Sequence, residues 1–132
     1  MGFLPNRSLA DVEEALREAV RSSGDAWLAD HHTFTFDKLR NDAYKIPGDH
    51  PLPVAVQAAC RSAGLESEVF GWNVSCDARL YAKVGRLPTV VFGPGDIRQA
   101  HAADESVDLG EVVTAAGVLA RFMVSWCGAR RG

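Results

Sequence analysis

The sequence predicts an α/β fold, on three observations. An amphipathic helix over about residues 8–22 sits between two segments that favour strands. A short continuous apolar run, Pro88-Thr89-Val90-Val91-Phe92, has the character of a strand buried on both faces, as in a sheet covered by helices. A long capped helix then follows it. Between these parts, Asn41 to Pro53 holds Pro47, Gly48, Pro51 and Pro53 and is read as a connector between two structural units.

Each element has a local cause. Gly2-Phe3-Leu4 is expected to end a strand that Pro5 and Asn6 terminate. Ser8 is an N-cap with Asp11 three residues on, a weak capping box. Val12, Ala15, Leu16, Ala19 and Val20 then share one helix face, and the charged residues take the other. The helix stops near Ser22-Ser23-Gly24. In His31 to Leu39, Thr33-Phe34-Thr35-Phe36 favours a strand with Phe34 and Phe36 on one face, and His31 and His32 on opposite faces. A helix over about Pro53 to Ala63 has proline in its first turn and Gly64 as its stop; Val56, Ala59, Cys60 and Ala63 form its apolar face. Val69 to Ser75 is irregular or extended. A short helix spans about Asp77 to Val84 and ends at Gly85. Asp108 caps the last helix with Glu111 at its third position, and Val112, Ala116, Leu119, Ala120 and Met123 line one side. The strand at 88–92 has no partner of its own in the sequence, so something must pair with both its edges.

With 132 residues the chain fits one ordinary domain or parts of two. A formal net charge of −3 gives no footprint for nucleic acid; the nearest basic cluster, Arg130-Arg131, reads as a solvated terminus. No apolar stretch is expected to reach the roughly 20 residues that span a bilayer, so no membrane partner is expected. Cys60, Cys76 and Cys127 are odd in number and far apart, which suggests reduced thiols in a cytoplasmic protein.

Three features between Ser75 and Glu105 could carry chemistry. Gly93-Pro94-Gly95 is either a tight turn or an anion-binding nest of backbone N–H groups. His101, beside Asp104 and Glu105, is either a surface histidine or a metal ligand held by a carboxylate. Arg79, in Asp77-Ala78-Arg79, is either a surface arginine or a bidentate clamp for a substrate carboxylate; Asp77 is placed to cap the short helix. A zinc site needs three or four protein ligands. No second histidine stands at metal spacing, and His31, His32 and His50 read as solvent-exposed.

Taken in order, Cys76-Asp77-Ala78-Arg79, Pro88 to Phe92, Gly93-Pro94-Gly95, Ala100-His101-Ala102-Ala103-Asp104-Glu105 and the closing Ser125-Trp126-Cys127-Gly128 resemble the last part of the acetylornithine deacetylase / succinyl-diaminopimelate desuccinylase / aminoacylase family of zinc metallopeptidases. Upstream, Phe3-Leu4-Pro5-Asn6 and the first helix and strand resemble the second half of that family's inserted lid. The resemblance covers nearly the whole chain. It implies the C-terminal part of a zinc-peptidase-like catalytic α/β domain (residues 54–132), preceded by a connector (41–53) and half of an α+β lid or dimerisation domain (1–40).

By the same resemblance His101 would ligate zinc, or another divalent metal such as cobalt. Arg79, Gly93 and Gly95 would hold the carboxylate of an N-acyl amino acid or short peptide, with Asp104 and Glu105 supporting the loop. The family's other ligands, a His-x-Asp element, a bridging aspartate, a Glu-Glu pair and a further acidic ligand, are absent. Glu13-Glu14 lies on the polar face of the first helix and does not supply that pair. Gly2 stands where many members have a lid arginine. The implied protein is a portion of an amide-bond hydrolase, without catalytic residues of its own and inactive alone, that needs a missing N-terminal half or a homodimer partner. The alternative is a non-catalytic dimerisation or assembly module.

Overall fold

The structure is a computed structural model, and it describes residues 3–37, 40–72 and 74–128. The described residues form five α-helices, α1 (Leu9–Arg21), α2 (Ala26–His31), α3 (Pro51–Ser62), α4 (Ala78–Lys83) and α5 (Leu109–Cys127), with a 3-10 turn at Ile97–Gln99. They fall into two compact units: residues 1–45 with 73–85, and residues 46–72 with 86–132.

In the first unit, α1 begins with the expected capping box. The Asp11 N–H donates to the Ser8 hydroxyl at 3.1 Å, and the Ser8 N–H donates to the Asp11 carboxylate at 2.8 Å. The Ser8 backbone N–H first, and the Ser8 hydroxyl second, hold the Asp11 carboxyl below its ordinary value. Val12, Leu16 and Val20 are the half-buried apolar stripe. Phe34 and Phe36 also share one side, stacked at 6.1 Å, but against cations: the Arg17 guanidinium lies over both rings and that of Arg40 over Phe36. Arg40 also pairs with Glu13. The short helix α4 ends at Gly85, where a Cβ would come within 2.7 Å of the Tyr81 carbonyl oxygen, so no larger residue fits there without a shift.

The second unit is built on α3 against α5. His50 caps α3 by accepting the Leu52 N–H through its ring nitrogen at 3.1 Å. Ala59, Cys60 and Val118 form the buried cluster, with Val56, Ala63, Phe92 and Phe122 packed on it. The apolar face expected for α3 is thus the one it buries. For α5 the buried face is different from the expected one. Ala115 and Val118 are buried and Phe122 is half-buried, whereas Val112, Leu119 and Met123 are exposed, as are Leu109, Val113, Val124 and Trp126. α5 is apolar on two sides, and only one has a neighbour in this unit.

Several expectations are corrected. No strand forms among the described residues. A strand is held by its ladder to a neighbour, and neither Phe3-Leu4, Thr33 to Phe36 nor Pro88 to Phe92 pairs with one. Phe92 rests instead on the α3–α5 cluster. The α/β class is therefore not confirmed among the described residues, and the expectations at Gly2, Lys38, Leu39, Asn73, Arg130 and Arg131 lie outside them. α2 replaces part of the expected loop and strand, because Asp25 caps it by accepting the Leu28 N–H at 3.0 Å. Asp77 sits at the α4 N-cap but makes no capping hydrogen bond. Finally, α5 is long and apolar enough by length and composition to cross a membrane, at 19 residues and mean hydropathy 1.3. Its charges, Glu111 and Arg121, are only two, so the run is longer than the sequence reading allowed.

Candidate functional site

The second unit carries Gly93, Gly95 and His101 in one loop between Phe92 and α5. Gly93 is exposed, and a Cβ there would meet nothing within 4 Å. Gly95 has φ +88°, which an L side chain rarely adopts. Its N–H is already used: it donates to the Glu111 carboxylate at 2.9 Å. Asp96 starts the 3-10 turn by accepting the Arg98 N–H at 2.9 Å and pairs with the Arg98 guanidinium. Those contacts, the side-chain one first, lower the Asp96 carboxyl to about 2. Gln99 closes the loop, its side-chain oxygen accepting from the Ser106 hydroxyl at 3.1 Å and the Ser106 N–H at 3.3 Å.

His101 lies at φ +65° with its ring exposed. Its backbone N–H donates to the Glu105 carboxylate at 3.0 Å. That bond fixes a backbone conformation a non-glycine residue rarely takes. Glu105 therefore braces the His101 backbone and does not orient its imidazole.

Arg79 belongs to the first unit. Its guanidinium folds back on the start of α4, donating to the Cys76 carbonyl at 2.8 Å and, more weakly, toward Asp77 at 3.4 Å. The side chain is only 15% exposed. Its Nε is buried without a hydrogen-bond partner among the described residues. A buried donor left unsatisfied costs about 1–3 kcal/mol.

His31 and His32 are exposed as expected, but His31 stands in a helix and not a strand, and His50 differs. His31 ends α2 with Nδ1 2.9 Å from the Trp27 carbonyl oxygen and its ring stacked on Trp27 at 4.9 Å. His32 places Nδ1 2.9 Å from the Leu28 carbonyl oxygen. His50 is half-buried as the α3 cap and not solvent-exposed. Among the described residues, no three His, Cys, Asp or Glu side chains group to hold a metal ion. The residues present thus do not fit a closed zinc site: His101 stands alone, and a bound zinc takes three or four protein ligands.

Sequence reasoning missed two features. The Glu111 carboxylate is one. The other is an open groove of about 240 Å³ in the first unit, lined by Pro5, Ala43, Tyr44, Lys45, Ala82 and Lys83. Burial first, and the neighbouring Cys76 second, push the Tyr44 phenol above its ordinary value. Residues 44 and 82 are too far apart in the chain for any pattern to have joined them.

Most of the chain is similar to known proteins. The chain is 23% identical over 140 residues to the N-formyl-4-amino-5-aminomethyl-2-methylpyrimidine deformylase of Bacillus subtilis (strain 168), covering 98% of this chain and 33% of that one. It is 28% identical over 126 residues to the acetylornithine deacetylase of Photorhabdus laumondii, covering 94% of this chain and 30% of that one. The acetylornithine deacetylase of Erwinia tasmaniensis is 30% identical over 126 residues, with the same shares. The chain therefore spans about a third of the length of the curated relatives it matches. No solved structure matches it. Residues 8–125, which include α1, α3, most of α5 and the whole loop bearing Gly93, Gly95 and His101, match peptidase family M20/M25/M40, and the chain belongs to that family.

Proposed function

We propose that this chain is the C-terminal portion of a zinc-dependent amide-bond hydrolase of the acetylornithine deacetylase type, inactive by itself. The observation that carries the reading is the chain's unmet surface. Phe70, Val84, Leu109, Val113 and Trp27 are each more than 60% exposed. Such a surface suits a chain that spans a third of its relatives and packs against the rest of a family member. In that assembly the outer face of α5 and the edges of 88–92 meet a sheet supplied by the rest of the family member. Residues 1–40 are then the second half of the lid, 41–53 the connector and 54–132 the catalytic segment.

The substrate class proposed is an N-acyl amino acid or short peptide, since the relatives named are deacetylases and a deformylase. Arg79, whose Nε has no acceptor among the described residues, is assigned to that substrate's carboxylate, as are Gly93 and Gly95 by the family resemblance. His101 contributes one ligand toward zinc or cobalt, and the remaining ligands come from outside this chain. Three free cysteines suit a reducing cytoplasmic compartment. The net charge gives no basis for a nucleic-acid partner, and the outer face of α5 is read as a protein contact and not a membrane one.

The test is to supply the preceding two thirds of a family member, in trans or by fusion, and to measure hydrolysis of N-acetyl amino acids. Activity that appears on mixing and is lost in His101→Ala is the expected result. Hydrolysis by the purified chain alone, or a mixture indifferent to His101→Ala, overturns the reading. The same exposed apolar surface also suits a non-catalytic dimerisation module. A stable dimer that stays inert with every N-terminal partner would favour that alternative.

A further inference from the structure

We propose that Glu111 is the positioning residue of the Gly93-Pro94-Gly95 turn, holding it through the Gly95 N–H. The assignment rests on a local preference that the fold overrides. With Asp108 at the N-cap of α5 and Glu111 at the third position, the sequence writes a capping box. Half of it forms: the Asp108 carboxylate accepts the Glu111 N–H at 3.0 Å. In the reciprocal half, Glu111 would reach back to the Asp108 N–H. Instead its carboxylate crosses to the Gly95 N–H at 2.9 Å, 16 residues away in sequence.

The receiving end is built for this. Gly95 takes φ +88°, which an L side chain rarely adopts, and a Cβ there would touch Val107 Cγ2 at an ordinary 3.4 Å. Conformation therefore favours glycine at this position. The turn is thus tied at its far end to the first turn of α5, while Gly93 stays open. A charge-assisted bond from a carboxylate is stronger than a neutral one, so the turn's geometry is set before any ligand arrives. The consequence for ligand binding rests on the reading that this turn receives a substrate carboxylate. In that case the Gly95 N–H is engaged by the protein itself, and the ligand meets the Gly93 side of the turn. The tether itself does not depend on that reading.

The experiment is amide hydrogen exchange by NMR on the full chain, comparing the parent with Glu111→Ala, Glu111→Asp and Glu111→Gln. Helix content is followed by circular dichroism. Alanine removes the acceptor. Aspartate keeps the negative charge at the helix N-terminus but is one methylene too short to reach Gly95. Glutamine keeps the reach and loses the charge. The expected result is that protection of the Gly95 amide falls by about tenfold or more in Glu111→Ala and Glu111→Asp and is largely retained in Glu111→Gln. Circular dichroism should show α5 intact in Glu111→Asp. Two results overturn the proposal: loss of protection at the Asp108 amide with Gly95 unchanged, which is ordinary capping, or Glu111→Asp behaving as the parent, which is a helix-end charge effect. A tether seen in exchange, together with a reconstituted hydrolase whose KM ignores Glu111→Ala and Gly93→Ala, would leave the tether standing and remove the substrate role of the turn.

Discussion

Asp42 accepts the backbone N–H of Leu9, the first residue of α1, at 2.7 Å across 33 residues of sequence. With Ser8 and Asp11 exchanging hydrogen bonds at the same helix end, three of the N–H groups that a helix start leaves open are satisfied, two of them by carboxylates. The connector after residue 40 is therefore tied to α1 and does not merely follow it. Asp42→Ala should free the Leu9 amide and fray the first turn of α1, costing about 1 kcal/mol, while Asp42→Asn retains part of the bond. Amide exchange at Leu9 checks this, and unchanged exchange in Asp42→Ala would show that the bond contributes nothing.

The Asp11 carboxyl has a definite pH signature. Its ionised form is favoured in the fold, so its contribution is present above the unfolded carboxylate value and is lost as pH falls through the lower folded one. The α1 N-terminus should loosen in the parent only below the ordinary aspartate range. In Ser8→Ala, which removes the hydroxyl that also favours the Asp11 carboxylate, the onset should move up toward that range. Titration of the Asp11 side-chain carbon by NMR reads this directly, and coincident curves for the two proteins would contradict it.

Tyr44 gives the opposite sign. Burial favours its neutral phenol, so the fold loses stability as pH rises past the ordinary tyrosine value and through the raised folded one. Absorbance titration of Tyr81→Phe isolates Tyr44, since the chain has two tyrosines. The midpoint should lie above 10 in the fold and return to the ordinary value in urea. A midpoint that is the same with and without urea would argue against the burial.

Val118 and Val113 lie on the same helix but should respond differently. Val118 is fully buried against α3 and Val113 is 73% exposed. Val118→Ala should destabilise the second unit by about 2 kcal/mol, from lost burial and the space left behind. Val113→Ala should cost less than about 0.5 kcal/mol in this chain. Urea unfolding of both variants measures the contrast, and equal effects would mean that α5 does not use the face described.

The outer face of α5 should also govern association. The parent is expected to self-associate through exposed apolar surface, and the double substitution Val113→Glu with Val124→Glu should shift it toward monomer. Sedimentation velocity decides this. A parent that is already a monodisperse monomer would refute the expectation.

Local chemistry alone determined much of this protein. Ser8 with Asp11, Pro51 and Pro53 in the first turn of α3, Gly64 and Gly85 as stops, and Asp108 at the head of α5 place their helices through bonds and backbone limits that span a few residues. The pairing of Phe34 with Phe36 on one side and the face α3 buries were legible for the same reason, because a period of 2 or 3.6 is written in adjacent positions. The family was legible too, through a string of short motifs in order. What the sequence could not decide were matters of partnership. Strand-forming runs became unpaired segments because a strand exists only with a neighbour. The two arginines over the Phe34 and Phe36 rings, the face by which α5 packs, the Asp42 bond to Leu9 and the diversion of Glu111 from Asp108 to Gly95 each join residues distant in sequence. For them the competing local option is nearly as good, and only the packing of one element on another selects between the two.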